Sequence, residues 1–386
     1  MRLLGLPGLD PYNFPQQEAW RYRRALRRAQ NRIVASGQVI LGPGVAAFEA
    51  AFAAWIDPAL APESAVGVAN GTDALELALR AAGVGPGDAV ALPSHTAYAT
   101  LAAVLRLGGR PLFIDLASER PVLCPEALEQ AIASHPGAVR AVIAVHLYGE
   151  ACDLGRLSAL CERQGIPLIE DCAQACGTRY AGQPVGRHGR FACFSFYPTK
   201  NLAACGDGGA VVARSPDDAE HLRRLRFYGW DASRQAVQFG VNSRLDELQA
   251  WLLATKLNDL ERRIAQRRQV AEWYRQELAE LPALRLPGDG ELWRHSYHLY
   301  VVQLLPALRD RALAACRAQG IPAGLHYPLA CHQHAYAAER FGSRWSLPHT
   351  EALLPRILSL PLHPYLPRRQ VRQVARALRG VLVEGR

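Results

Sequence analysis

Apolar runs of four to eight residues alternate, over the first two-thirds of the chain, with stretches in which apolar positions recur every three or four residues. That rhythm predicts parallel strands joined by crossover helices. Ala65-Val66-Gly67-Val68-Ala69 opens the first clear unit, turns at Asn70-Gly71 and enters a helix from Thr72 to about Ala82. A strand over 90–93 and a helix from about Tyr98 to Leu107 follow. Further strands are predicted over 111–115, 139–145, 167–170, 191–196 and 209–213, and helices over 125–133 and 154–163. From Arg244 a helical pattern carrying Leu245, Leu248, Leu252, Leu257, Leu260 and Ile264 runs to about Leu281 and reads as one long bridging helix. A strand over 299–304 and helices over 306–319 and 367–382 complete a smaller α+β unit. The pattern therefore divides the chain into an N-terminal arm and helix (1–35), a large α/β domain (36–257) and a small α+β domain (258–386), without repeats or detachable modules.

A chain of 386 residues, 49% hydrophobic and 20% charged, is long enough for an enzyme core. It has no run of eighteen apolar residues and no secretory pattern at its start, so a cytoplasmic protein without membrane association is expected. Nine cysteines, an odd number scattered through apolar stretches, fit reduced buried thiols better than a disulfide framework. Neither Cys172 with Cys176 nor Cys331 with His332 and His334 has paired metal-ligand spacing, so no metal is predicted. The net charge of +9 includes six arginines between Arg21 and Arg32 with no acid among them. Trp20, Ala25 and Ala29 give that basic helix one apolar stripe, and no nucleic-acid signature accompanies it. A solvated or subunit-facing helix is the expectation; attraction of an anionic small molecule such as a nucleotide diphosphate is the sharper alternative.

The basic residues carry a second signal. Lysine occurs only at Lys200 and Lys256, although lysine and arginine together number 44. Arginine stays protonated in any protein setting, whereas a lysine amine can lose its proton and attack a carbonyl. Lys200, between Phe194-Ser195-Phe196-Tyr197-Pro198-Thr199 and the glycine-rich Gly206-Asp207-Gly208-Gly209, is either a surface lysine or a position that needs an amine. Lys256, on the leucine-rich helical pattern, is expected to be solvated or at an interface.

Around Lys200 the sequence offers complementary groups. Asn70-Gly71-Thr72-Asp73 stands where a strand enters a helix, so it either caps that helix or presents amides and a hydroxyl to a phosphate. Asp171 follows the strand 167–170 at the carboxyl end, where open α/β sheets place ligands, and Gln174 stands three residues on; each could instead cap the following turn. Ser195 adds a hydroxyl, and Gly206, Gly208 and Gly209 let the chain pass close to a bound group. Taken jointly, these segments supply an amine, an anion cradle and a carboxylate, the needs of a carbonyl cofactor with a phosphate tail and a pyridine nitrogen.

Asn70-Gly71-Thr72-Asp73-Ala74-Leu75, His146-Leu147-Tyr148-Gly149, Glu170-Asp171-Cys172-Ala173-Gln174, Ser195 to Asn201, Gly206 to Val211, Asn242 to Ala250 and His326-Tyr327-Pro328 occur in an order that resembles the DegT/DnrJ/EryC1/StrS family of pyridoxal-phosphate sugar aminotransferases. The resemblance spans about Leu41 to Leu362. It implies the type I fold of pyridoxal-phosphate transferases: a large domain with a mostly parallel mixed sheet flanked by helices, plus a smaller C-terminal α+β domain. It also implies a homodimer with shared active sites. Lys200 would bind the cofactor covalently and then act as acid-base catalyst, and Asp171 would keep the pyridine nitrogen protonated. Gln174 would meet the phenolic oxygen, Gly71, Thr72 and Ser195 would hold the phosphate, and Asn242 would reach the phosphate of the partner subunit. Tyr197, His326 and Tyr327 resemble residues lining the sugar pocket.

The resemblance further implies an amino-acid donor, glutamate, and a nucleotide-linked keto sugar as acceptor. Tyr197-Pro198 and Asp207 favour a dTDP-linked 3-keto-6-deoxyhexose over a 4-keto sugar or a keto-cyclitol. A non-catalytic regulatory or binding protein on the same fold is the alternative of another class. One departure stands out: the aromatic residue that usually stacks on the pyridine aligns with Ala97, so either His95 or Tyr98 supplies it after a local shift, or another group covers that face, with Tyr98 packed inside the following helix and His95 a satisfied loop histidine.

Overall fold

Seven strands build the central sheet of the computed structural model, in the spatial order 65–68, 209–213, 191–195, 168–171, 139–145, 89–93, 110–114. Only Gly209–Ala213 runs antiparallel to its neighbours; the pairs from 191–195 outward to 110–114 are parallel. The structure describes residues 15–281, 284–342 and 345–383; the first fourteen residues of the predicted N-terminal arm lie outside them. Period-two alternation explains why both sheet faces are covered. Phe191, Cys193, Val211 and Ala213 enter one hydrophobic cluster, while Ala192, Phe194, Ala210 and Val212 enter another on the opposite face.

The helices fall where periodicity predicts them, among them Gly71–Ala81, Tyr98–Arg106, Pro125–Ser134 and Leu154–Gln164. Asn70 caps the first of these by accepting the Asp73 N–H at 2.8 Å, and Gly165, left-handed at φ 63°, closes the last. A second sheet, with spatial order 284–285, 300–304, 357–360, packs against the helices Leu260–Leu278, Pro306–Ala318 and Arg368–Val383 around a separate core.

Three expectations need correction. The pattern from Arg244 to Leu281 is two helices, Glu247–Leu257 and Leu260–Leu278, broken at Asn258-Asp259. Asn and Asp favour helix ends because their side chains compete for local polar partners, and here the Asp259 carboxylate accepts the Tyr22 hydroxyl at 2.7 Å. Lys256 is not solvated: it is 2% exposed, donating to the Ala203 carbonyl at 2.7 Å with Glu18 at 3.5 Å. The arginine-rich segment forms Pro15–Arg21 and Arg23–Ser36, whose arginines are exposed. Trp20 lies outside the expected apolar stripe, 51% exposed beneath the Arg23 guanidinium, and the buried positions are Glu18, Tyr22 and Ala29. All nine cysteines are free thiols, and Cys205 is the exposed one. No described helix is long and apolar enough to cross a membrane.

Candidate active site

A cavity of about 620 Å³ opens at the carboxyl ends of the strands Leu168–Asp171 and Phe191–Ser195. It brings together nine of the ten site residues read from the sequence: Gly71, Thr72, Asp171, Gln174, Ser195, Tyr197, Lys200, His326 and Tyr327. Asn242 is exposed and does not line it.

One end of the cavity is made largely of backbone. The Asn70 side chain takes the Asp73 N–H and the Asn70 carbonyl takes the Ala74 N–H. Gly71 and Thr72 thus supply the first amides of the helix, which have no partner within it and lie at its positive end. A Cβ on Gly71 would sit 2.6 Å from the Ser195 Cβ, so helix start and strand end touch only because this residue is glycine. Gly209 serves the same closeness, since its Cβ would meet the Asn70 carbonyl at 2.5 Å. Amides, the Thr72 hydroxyl and the Ser195 hydroxyl form a cradle suited to an anion.

The other end is made of side chains. Asp171 is buried, accepting the Ala173 N–H at 3.0 Å and the Thr100 hydroxyl at 2.9 Å. Thr100, having donated its proton, accepts that of Thr96 at 3.0 Å, and this chain fixes the carboxylate plane. Burial raises the Asp171 pKa above its ordinary value despite those two bonds and the positive charge of Lys200. A carboxylate left in that condition is stabilised by a cation entering the cavity. Lys200 lines the wall between the two ends, its backbone held by a bond from its N–H to the Tyr197 carbonyl at 2.8 Å. The loop beyond it is clamped by Gln249, which accepts from the Cys205 N–H at 2.7 Å and donates to the Cys205 carbonyl at 3.1 Å.

Gln174 links segments far apart in the chain: its Oε1 accepts the Tyr148 N–H at 2.8 Å and its Nε2 donates to the Tyr327 hydroxyl at 3.0 Å. Tyr148 is held at φ 62°, an uncommon conformation for a residue with a side chain. Its hydroxyl donates to the His326 carbonyl and so accepts from His95 Nε2 at 2.6 Å. His95 therefore carries its proton on Nε2, and burial pushes its pKa down to about 4. Tyr98 packs its ring against His334, with 4.8 Å between centroids. Neither residue lines the cavity; Ala97 does, beside Thr96.

Sequence reasoning missed Thr100 and His298, both of which line the cavity. Thr100 was hidden inside a helix-forming stretch, and His298 precedes a strand without any motif. His146, Glu170 and Cys172 bring ligand atoms within 4.8 Å of one another beneath the site. The Glu170 oxygens are already occupied by His146 and by the amides of Gly186, His188 and Gly189, at 2.7 to 3.0 Å. Burial alone would raise the Glu170 pKa, but those bonds outweigh it and hold it at about 2. The cluster ties three segments together under Asp171.

Pyridoxal phosphate fits what this chain supplies. The cradle at Gly71, Thr72 and Ser195 suits its phosphate, the desolvated Asp171 its ring nitrogen, and Lys200 its carbonyl. The sequence model of the DegT/DnrJ/EryC1/StrS aminotransferase family matches residues 22–379. The dTDP-3-amino-3,4,6-trideoxy-alpha-D-glucose transaminase of Streptomyces venezuelae is 41% identical over 349 residues, 90% of this chain and 89% of that protein. The UDP-N-acetyl-3-dehydro-alpha-D-glucosamine 3-aminotransferase of Acidithiobacillus ferrooxidans is 40% identical, covering 82% and 84%. The crystal structure of S. venezuelae DesV in complex with ketimine intermediate superposes with a TM-score of 0.90 at 39% identity, over 96% of this chain and 97% of that one.

Proposed function

The chain belongs to the DegT/DnrJ/EryC1/StrS family of pyridoxal-phosphate-dependent aminotransferases, and from that premise we propose that it moves an amino group from glutamate to a keto sugar carried on a nucleoside diphosphate. The observation that carries this reading is the convergence of Lys200, buried Asp171 and the Gly71–Thr72–Ser195 cradle on one cavity. The acceptor is a dTDP-linked 3-keto-6-deoxyhexose, with a 4-keto sugar as runner-up. The names of the two curated relatives support C3, since both describe nitrogen at that carbon of a nucleotide sugar.

When bound, pyridoxal phosphate supplies an electron sink for the carbon that loses its proton. The chain's residues do the rest. Gly71, Thr72 and Ser195 anchor the phosphate, and Asp171, oriented by Thr100 and the Ala173 amide, keeps the ring nitrogen protonated. Gln174 Nε2, which gives one N–H to Tyr327, has a second that would meet the phenolic oxygen. Lys200 Nζ takes the proton from the α-carbon of the donor and, in the second half of the cycle, delivers one to the sugar carbon. Tyr197, His326 and Tyr327 border the space left for the sugar.

The reading includes a cytoplasmic homodimer with shared sites, built from the arm 1–35, the large domain 36–257 and the small domain 258–386. Support for the shared site lies in Asn242, which is exposed beside the segment 227–241 where Tyr228, Val237 and Phe239 are also exposed. A second copy would cover these side chains and bring Asn242 to the neighbouring phosphate. Incubating the pyridoxamine-phosphate form with a panel of nucleotide keto sugars, and locating the new carbon–nitrogen bond by NMR, tests the reading. Nitrogen at C3 of a dTDP sugar is the expected result. Failure to aminate any of them would return the chain to the regulatory or binding class.

A further inference from the structure

His298 lines the same cavity from the small-domain side, and nothing in the reading above gives it a task. His298 is 6% exposed, and its Nδ1 has no hydrogen-bond partner among the described residues. Leaving a buried polar atom unpaired is costly. The backbone around it is built with care. Ser296 N–H donates to the Gly149 carbonyl at 3.1 Å and Leu299 N–H to the Tyr148 carbonyl at 3.2 Å, so the segment is bonded to the large domain on both sides of His298. From behind, the fully buried Arg267 donates to the carbonyls of Tyr297 at 3.0 Å and His298 at 3.4 Å. A segment held this firmly presents its imidazole in one place.

We propose that His298 is a specificity-determining contact whose imidazole exchanges a hydrogen bond with a hydroxyl of the sugar substrate. Burial first, and then the positive charges of Lys200 and Arg267, hold His298 well below the ordinary histidine range, so the ring is neutral. A neutral imidazole offers one donor and one acceptor, which matches a hydroxyl. It is a poor match for the carboxylates of an amino-acid donor, which only accept and prefer a cation. Both substrates visit this cavity in turn, and His298 therefore distinguishes the two half-reactions.

This inference rests on the proposed aminotransfer to a keto sugar, and its test separates the two. Each half-reaction of the holoenzyme is followed alone, with glutamate on the pyridoxal form and with dTDP-3-keto-6-deoxyglucose on the pyridoxamine form. His298→Phe, similar in volume and without hydrogen-bonding atoms, should lose about 30-fold in kcat/KM with the sugar while changing about 3-fold or less with glutamate. His298→Asn, whose amide keeps polar atoms near the Nδ1 position, should recover most of that loss. If the phenylalanine variant fails to hold cofactor, His298→Ala provides the same comparison. Equal losses in both half-reactions, or a variant that matches the wild type with the sugar, overturn the role of His298 alone. A wild-type enzyme that reacts with glutamate but with no keto sugar overturns both the proposed acceptor and this contact.

Discussion

Lys200 and Lys256 are the two lysines of a chain that otherwise carries its positive charge on arginine, and the structure sets them in opposite surroundings. Lys200 lines a cavity with a carboxylate at one end and an anion cradle at the other. Lys256 is sealed beneath the N-terminal helices, donating to the Ala203 carbonyl, 3.5 Å from Glu18 and with the Tyr22 ring over its amine. Rarity in the composition picks out both, yet only Lys200 shares its cavity with Asp171 and the anion cradle; Lys256 borders a separate, smaller cavity of about 270 Å³ against the N-terminal helices. Lys256 nevertheless serves the first, because the Ala203 carbonyl it holds belongs to the loop that follows Lys200. In the proposed reaction one amine would react while the other fixes the backbone beside it.

The largest effect that separates them is on turnover. Lys200→Ala should remove covalent cofactor capture and lower transamination by about 10⁴-fold or more, followed by absorbance and product formation. Lys256→Met should stay within about 10-fold of wild type in the same assay, its loss arising from a loosened loop. Comparable collapse in the two variants would erase the contrast.

Asp171→Asn tests the far end of the Lys200 cavity. Its amide keeps the size of the side chain but no longer favours a protonated ring nitrogen, so cofactor should remain bound while the rate falls about 10²- to 10³-fold. An unchanged rate would remove Asp171 from the proposed chemistry.

Stability against pH sharpens the Lys256 side. Burial, only partly offset by Glu18, pushes the Lys256 pKa down from 10.5 to about 8. The unfolded chain therefore binds more protons than the folded one between those values, and the group's contribution to stability rises with pH across the window from about 8 to 10.5. The gain can reach about 3 kcal/mol. Denaturant unfolding at a series of pH values should show this rise in the wild type, set against the other groups that titrate there, and Lys256→Met should lack it. Parallel curves for the two proteins would contradict the assignment.

The smallest effect concerns the face of the cofactor. Ala97 lines the cavity where the family resemblance implies an aromatic ring, with His95 committed to Tyr148 and Tyr98 to His334. Ala97→Tyr should strengthen cofactor retention by about 0.5–1.5 kcal/mol, measured as slower loss on dialysis. Faster loss would mean that the space at Ala97 is already used.

Much of this was legible in the sequence because the signals are local. The strands 65–68, 168–171 and 191–195 announce themselves as short apolar runs, and each ends at a residue or turn with chemistry to offer. Gly71 could be placed by its turn, although the reason it must be glycine, the approach of Ser195, appears only in three dimensions. The break at Asn258-Asp259 was masked by a leucine pattern that continues in phase on both sides. The burial of Lys256 depends on Glu18, more than two hundred residues away, and periodicity carries no information about such a pairing. His298 escaped for the same reason: its neighbours in sequence are unremarkable, and only the folded chain sets it beside Lys200.

The central claim is that Lys200 alone is the cofactor amine, and borohydride reduction of the pyridoxal-phosphate-loaded protein followed by peptide mapping tests it most directly. With only two lysine side chains to distinguish, the account predicts a phosphopyridoxyl group on Lys200 and none on Lys256. A label on Lys256, or a cofactor-loaded protein that carries none on Lys200, would contradict it.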